Sequence, residues 1–155
     1  MKKTLQNFIE KRQEKNQEFM DKFAGLLETL KGGQAPECYV LMCGDSRCSR
    51  EVFSGDSVEI GSVFGGPSTM GNVVSGEIMA SLAFNVDHLN TKYFIVCGHT
   101  GCGAIDASMG DFSKERPVLK KALSELKVAY KNFEKHPGLQ SDDVSVHNVF
   151  RNVQA

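Results

Sequence analysis

The chain has 155 residues, of which 41% are hydrophobic and 24% charged, a composition typical of one globular domain. Eighteen Lys and Arg residues nearly balance nineteen Asp and Glu residues, so no basic excess is present to bind nucleic acid. Because no apolar run approaches the roughly 20 residues that span a bilayer, and no secretory signal opens the chain, we expect a single cytoplasmic domain over residues 1–155, without a membrane partner.

The N-terminal segment carries apolar residues at helical spacing, which predicts an amphipathic helix over residues 4–31. The apolar stripe consists of Phe19, Phe23, Leu26, Leu27 and Leu30. Gly32-Gly33 predicts the end of the helix. The stripe can lie on this domain or on a second copy of the chain, and the sequence leaves both open. We expect residues 1–33 to form a helical arm and residues 34–155 to form the core.

The rest of the chain alternates predicted strands with predicted helices. Two continuous apolar runs, 38–43 and 93–97, predict strands buried on both faces of a parallel sheet. A shorter strand is predicted at 58–60, followed by a glycine-rich loop over residues 61–67. Apolar spacing and Pro117 predict helices over 75–89, from about 104, over 117–133 and over 143–155. This order predicts an α/β fold, a central and mainly parallel sheet flanked by helices.

Five cysteines in a chain without an export signal favour metal binding or a reactive thiol over disulfides. Cys43 ends the first predicted strand, and His99 and Cys102 lie in the turn after the strand at 93–97. Ligands in such sheets cluster beyond the carboxyl ends of the strands, so these side chains can meet. Two thiolates and one imidazole favour Zn²⁺, and three protein ligands are the number found in catalytic zinc sites. The alternative is two buried thiols and a hydrogen-bonded histidine.

The other three cysteines carry no comparable signal. We interpret Cys38 and Cys97 as packing residues of the strands and Cys48 as a loop residue. A cysteine phosphatase is disfavoured, because Ser49 stands where the Cys-x₅-Arg loop of those enzymes needs arginine.

Two motifs together carry a resemblance to a known family. Cys43-Gly44-Asp45-Ser46-Arg47 is followed later in the chain by His99-Thr100-Gly101-Cys102-Gly103. The pair resembles the zinc signature of the β-class carbonic anhydrases. The likeness extends over roughly residues 38–153, including the predicted last helix.

The resemblance implies a role for each of these residues. Cys43, His99 and Cys102 would hold one Zn²⁺ per chain, beside a hydrogen-bonded pair formed by Asp45 and Arg47. The implied activity is the reversible hydration of CO₂ to bicarbonate and a proton by a zinc-bound hydroxide. Asp45 would accept a hydrogen bond from that hydroxide, and Arg47 would keep the carboxylate charged and in place.

Three further expectations accompany these roles. The backbone N–H of Gly103 is expected to donate to a substrate oxygen. Some family members place the aspartate on zinc as a fourth ligand, and the sequence leaves this open for Asp45. Since family members form dimers or larger assemblies, we expect a homodimer or larger homo-oligomer. A surface ion pair is the alternative for Asp45 and Arg47.

The chain departs from the family pattern in two places. Where family members carry Arg-Asn-Ala-Gly-Asn, only Gly71-Asn72 is retained here. A strand that usually follows the last helix is also missing, as expected for a short or truncated member. The changed loop at 61–70 leaves two alternatives open, a zinc hydrolase of CS₂ or COS and a non-catalytic zinc-binding homologue.

Overall fold

The computed structural model describes residues 4–49, 60–66 and 68–131. Its chain divides into two compact units, residues 1–34 and residues 35–155. The helix predicted over 143–155 lies outside the described residues. No described helix combines the length and the apolar character needed to cross a membrane.

The N-terminal unit is helical, as predicted, but its helix is interrupted. α1 runs over Leu5–Lys22, α2 over Ala24–Thr29, and a 3₁₀ turn over Leu30–Gly32 follows. The Thr4 hydroxyl caps α1 by accepting a hydrogen bond from the Asn7 N–H at 3.3 Å. The prediction of one helix over 4–31 is wrong at Phe23, whose φ of −110° and ψ of 15° leave the helical region. Gly25, a poor helix former, lies two residues beyond this break.

The core unit contains a parallel sheet, as predicted from its apolar runs. Its strands are β1 (Cys38–Met42), β2 (Val63–Gly65) and β3 (Tyr93–Cys97), in the order β2-β1-β3. All five residues of the central strand β1 are buried. Cys38 is in register with Val63 on one side and with Tyr93 on the other.

Three helices of the core unit follow the predicted positions. They are α3 (Gly76–Leu89), α4 (Gly103–Met109) and α5 (Pro117–Lys131). The end predicted for the last of them, residue 133, lies outside the described residues. Parallel strands flanked by helices confirm the predicted α/β class.

The strand predicted at 58–60 is wrong at Ile60, and the loop predicted over residues 61–67 contains β2. The strand lies at Val63–Gly65, inside the segment predicted as a loop, whereas Ile60 is part of a turn. Val58 and Glu59 lie outside the described residues. The strand forms through a tertiary contact that the local sequence does not indicate. The Phe64 ring stacks on the Tyr39 ring of β1, with centroids 5.6 Å apart, and this contact stabilises a short strand within a glycine-rich segment.

Side chains alternate between two faces of β1, and each face packs against a different part of the core. One cluster joins Tyr39 and Leu41 to Ile78 of α3 and Val96 of β3. On the opposite face, Cys38, Val40 and Met42 form a cluster with Val63 of β2 and Ile95 of β3. A third cluster lies beyond the end of β1 and consists of Cys43, Cys102, Ile105, Leu123 and Leu126. Two of the predicted metal ligands are therefore part of the apolar packing of α4 and α5.

Gly66 lies against the ring of Tyr39, which yields a stability prediction. A Cβ at this position would lie 2.7 Å from Tyr39 Cε1 and 2.8 Å from the Val40 carbonyl oxygen. Because the carbonyl belongs to the central strand and cannot move aside, Gly66→Ala should lower the free energy of unfolding by about 1–3 kcal/mol. Urea denaturation measures this change.

Gly76→Ala is the matched control for this substitution. A Cβ at Gly76 would meet nothing within 4 Å, so we expect a change below about 0.5 kcal/mol. If Gly66→Ala unfolds at the same urea concentration as the control, Gly66 does not pack on Tyr39 in the way described.

Candidate metal centre

Cys43, His99 and Cys102 meet at one edge of the sheet. Cys43 follows β1 and the other two follow β3, and the parallel pairing of these strands brings their carboxyl ends together. The ligand atoms of the three side chains all lie within 4.8 Å of one another. The two sulfur atoms are 3.7 Å apart. The structure thus brings the three predicted ligands into one cluster that can hold a metal ion.

Backbone hydrogen bonds fix the two cysteines of this cluster. The Cys43 N–H donates to the Cys97 carbonyl at 3.3 Å, and a β-bridge pairs Cys43 with Thr69. Cys102 is the N-cap residue of α4, and its carbonyl accepts a hydrogen bond from the Asp106 N–H at 3.0 Å. It follows Gly101, whose φ of 60° favours glycine. The positions of both sulfur atoms are therefore determined by the sheet and by the start of a helix.

The ring of His99 is oriented by its own loop. Its Nδ1 lies 3.0 Å from the Thr100 carbonyl oxygen. A carbonyl oxygen can only accept, so Nδ1 carries the proton and Nε2 of the neutral ring keeps its lone pair. Nε2 is buried and has no hydrogen-bond partner among the described residues. A histidine held only by protein hydrogen bonds would leave this nitrogen unsatisfied, whereas a metal ion would satisfy it.

Burial raises the pKa of three thiols at or near the centre. It raises the pKa of the Cys102 thiol, against the opposing effect of hydrogen bonds from the Ile105 and Ala104 N–H groups. A bound cation would favour the thiolate and offset this effect. Burial likewise raises the pKa of Cys48 and Cys97, neither of which belongs to the three-residue cluster.

Asp45 and Arg47 form a bidentate ion pair beside the cluster. Arg47 Nε donates to Asp45 Oδ1 and Arg47 Nη2 donates to Oδ2, both at 2.8 Å, and the Arg47 N–H donates to Oδ1 at 2.9 Å. These hydrogen bonds from the Arg47 side chain, then from its backbone, hold the pKa of Asp45 well below its usual range. The carboxylate is therefore ionised at neutral pH.

The same pair connects the two loops of the site. Arg47 Nη2 also donates to the Gly101 carbonyl at 3.2 Å, which links the loop after β1 to the loop after β3. Asp45 Oδ2 lies 3.8 Å from His99 Nε2. The side chain of Asp45 is only 21% exposed, whereas that of Arg47 is 67% exposed. The guanidinium thus faces solvent and the carboxylate faces the cluster.

A cavity of about 340 Å³ opens beside the cluster. The described residues that line it are Cys43, Gly44, Asp45, Met70, Gly71, Cys102, Gly103 and Ala104. Gly103, predicted to bind substrate, is the first residue of α4, and a Cβ there would meet nothing within 4 Å. Met70 is a lining residue that the sequence analysis does not identify. The only feature of the sequence that could indicate it is its position directly before the retained Gly71-Asn72 pair.

Comparison with known proteins identifies the family. The family model described as carbonic anhydrase matches residues 38–155. The chain belongs to the carbonic anhydrase family. Curated relatives include Carbonic anhydrase 2 of Mycobacterium tuberculosis, which is 28% identical over 109 residues, covering 70% of this chain and 49% of the relative. The carbonic anhydrase of Emericella nidulans is 30% identical over 117 residues, which cover 74% of this chain and 49% of the relative. The chain thus spans about half the length of these curated relatives.

Solved structures of β-carbonic anhydrases share the fold. The Coccomyxa β-carbonic anhydrase in complex with acetazolamide superposes with a TM-score of 0.71 and 32% identity, covering 97% of this chain and 68% of that chain. One of two tetrameric β-carbonic anhydrases from Sordaria macrospora superposes with a TM-score of 0.72 and 25% identity, covering 98% of this chain and 78% of that chain. These neighbours confirm the β-class resemblance predicted from the two motifs.

Proposed function

We propose that this carbonic anhydrase family member interconverts CO₂ and bicarbonate, with one Zn²⁺ per chain held by Cys43, His99 and Cys102. The observation that carries the proposal is the cluster of two thiols and one imidazole at a cavity that an ion-paired carboxylate also lines. The reaction converts CO₂ and water into bicarbonate and a proton. The curated relatives are named carbonic anhydrases, which supports the proposal.

The residues of the cluster fit zinc in chemistry and in spacing. Thiolate and imidazole are the ligands that zinc prefers in proteins. Two sulfur atoms at ordinary zinc–sulfur distances from a tetrahedral ion lie about 3.8 Å apart. Cys43 Sγ and Cys102 Sγ are 3.7 Å apart, and the His99 Nε2 lone pair has no other partner among the described residues.

Asp45 and Arg47 have separate tasks in this proposal. Zinc in such a site supplies an acidified water, and so a nucleophile near neutral pH. An ionised Asp45 can only accept hydrogen bonds, so it would orient an O–H group in the cavity. Arg47 would keep the carboxylate charged and aimed at the cluster through its paired hydrogen bonds.

Gly103 would bind a substrate oxygen through its backbone. The first N–H groups of a helix have no acceptor within the helix, and Gly103 begins α4 at the wall of the cavity. An oxygen that gains negative charge as bicarbonate forms would accept a hydrogen bond from this N–H.

We also propose that the chain forms a homodimer or a larger homo-oligomer. α1 contains no buried residue, and five of its large apolar side chains, those of Leu5, Phe8, Ile9, Phe19 and Met20, are at least 38% exposed. Exposed apolar surface of this kind is typical of an interaction surface. The Sordaria macrospora relatives are described as tetrameric, which supports the proposal.

Stopped-flow CO₂ hydration of the zinc-loaded protein tests the activity. We expect hydration well above the buffer rate, lost when a chelator removes the metal and restored by zinc. Hydrolysis of COS or CS₂ by the same protein without CO₂ hydration would instead support the hydrolase alternative. Inactivity of zinc-loaded protein toward CO₂, COS and CS₂ alike would contradict the proposal and favour a non-catalytic zinc site.

Zinc removal should also destabilise the fold. Cys43 and Cys102 belong to the buried cluster that includes Leu123 and Leu126, so the folded chain should bind zinc better than the unfolded chain does. Zinc at 1,000 times its dissociation constant would add about 4 kcal/mol to the free energy of unfolding. Urea denaturation with zinc and with a chelator measures this difference. Identical transitions under the two conditions would contradict it.

A further inference from the structure

Met70 provides the only long apolar side chain among the described residues that line the cavity. The other lining residues are three glycines, one alanine, two cysteines and Asp45. Asp45 is polar, and its orientation is fixed by Arg47. Apolar side-chain surface toward a small molecule therefore comes mainly from Met70, with a single methyl group from Ala104.

The backbone of Met70 is held in place by its neighbours on both sides. The Thr69 N–H donates to the Met42 carbonyl at 3.1 Å, and the Thr69 carbonyl accepts from Gly44 at 2.8 Å. On the other side, Gly71 has a φ of 64°, and a Cβ there would lie 3.3 Å from Leu126 Cδ2. The backbone at Met70 thus cannot retreat from the cavity, and only its side chain adjusts.

The side chain of Met70 suits contact with an uncharged molecule. It is 37% exposed, so it borders both the cavity and solvent. Its thioether is polarizable, and its three rotatable bonds let it follow the shape of a ligand. Carbon dioxide has no charge and no net dipole, so its transfer out of water is favoured by apolar surface rather than by the polar groups of the site.

We propose that Met70 is the contact that binds the uncharged substrate and so determines the KM for CO₂. The proposal rests on the proposed CO₂ hydration and adds a residue to it. Loss of the apolar contact weakens binding before reaction and leaves the groups that act on the bound molecule in place. The expected consequence is a rise in KM with little change in kcat.

Met70→Gln tests this contact, because glutamine has nearly the same length and replaces the thioether with an amide. We expect KM for CO₂ to rise at least about fourfold, the effect of losing roughly one buried methylene, with kcat within about twofold of the wild type. Met70→Leu, which preserves volume and apolar character, should restore the KM. Met109→Gln is the distal control, since Met109 is 44% exposed at the end of α4 and does not line the cavity.

Nitrous oxide supplies a second measurement that does not require turnover. It is linear, uncharged and unreactive, and its infrared stretching band reports on transfer from water to an apolar site. With wild-type protein and with Met70→Leu, we expect a nitrous oxide band shifted from its position in water. With Met70→Gln, we expect this shifted band to be weaker. Equal binding by all three proteins, or no binding by the wild type, would overturn the proposal.

The two measurements separate this proposal from the proposed function. Normal CO₂ hydration with an unchanged KM in Met70→Gln would overturn the role of Met70 and leave the hydration activity established. Nitrous oxide binding that depends on Met70 in a protein that does not hydrate CO₂ would support the contact and overturn the proposed function.

Discussion

Cys43→Ala is expected to abolish both zinc binding and CO₂ hydration. The substitution removes one of three ligands and leaves a single thiol and His99, too few to hold the ion. Changes to groups that merely orient a ligand cost about 10–100-fold in metal affinity, so loss of a ligand should cost more than about 100-fold. Elemental analysis after gel filtration and stopped-flow hydration measure the two effects on the same sample.

Cys97→Ala is the matched control for this substitution. Cys97 is half-buried at the end of β3, close in sequence to the site, but it is not part of the three-residue cluster. We expect it to retain zinc and activity. Because Cys43 is 3% exposed, circular dichroism of both variants must show that they are folded. A folded Cys43→Ala protein with its full zinc content would contradict the assignment of this ligand.

Asp45→Asn is expected to keep zinc and lose most of the turnover, by about 10²–10⁴-fold in kcat. An asparagine side chain carries an N–H₂ group, so it no longer acts purely as an acceptor. It also cannot accept both charged hydrogen bonds that Arg47 donates to the two carboxylate oxygens. Stopped-flow kinetics with parallel zinc analysis distinguishes this loss from loss of the metal.

Asp111→Asn controls for the removal of one negative charge. Asp111 is exposed and accepts a hydrogen bond from the Ser113 N–H at 2.9 Å, away from the described lining of the cavity. We expect normal turnover in this variant. Full activity in Asp45→Asn would refute the role given to the carboxylate.

The pH dependence of the wild type provides a separate check on Asp45. Hydrogen bonds from Arg47 lower the pKa of this carboxyl, so it stays ionised as the pH falls through the range in which an ordinary aspartate takes up a proton. We therefore expect no inflection from Asp45 in the hydration rate between about pH 3 and 9, a range that includes the ordinary aspartate pKa of about 3.9. An inflection in this range that disappears in Asp45→Asn would contradict the description of the ion pair.

Much of the fold could be predicted because buried parallel strands have a simple sequence pattern. β1 and β3 are continuous apolar runs, and the helices after them show apolar spacing. β2 could not be located, because its three residues are held by pairing with β1 and by stacking of Phe64 on Tyr39, which are contacts between distant parts of the chain. The break in the N-terminal helix at Phe23 could not be predicted, because the apolar residues keep their helical spacing on both sides of it.

The site was predictable where its residues follow strands directly. Cys43, Asp45, His99 and Cys102 lie in short loops at the ends of β1 and β3, so the sheet alone brings them together. Met70 reaches the cavity by another route, through the bridge between Thr69 and Cys43. Nothing in the sequence around Met70 indicates that bridge, and the orientation of the His99 ring likewise depends on a local hydrogen bond to a carbonyl.

X-ray absorption at the zinc K-edge of the zinc-loaded chain tests most directly whether Cys43, His99 and Cys102 hold the ion. We expect two sulfur neighbours at about 2.3 Å and two nitrogen or oxygen neighbours at about 2.0–2.1 Å. This shell would match two thiolates, one imidazole and a fourth position left to an oxygen ligand. A shell without sulfur, or with three or four sulfur atoms, would contradict the proposed centre.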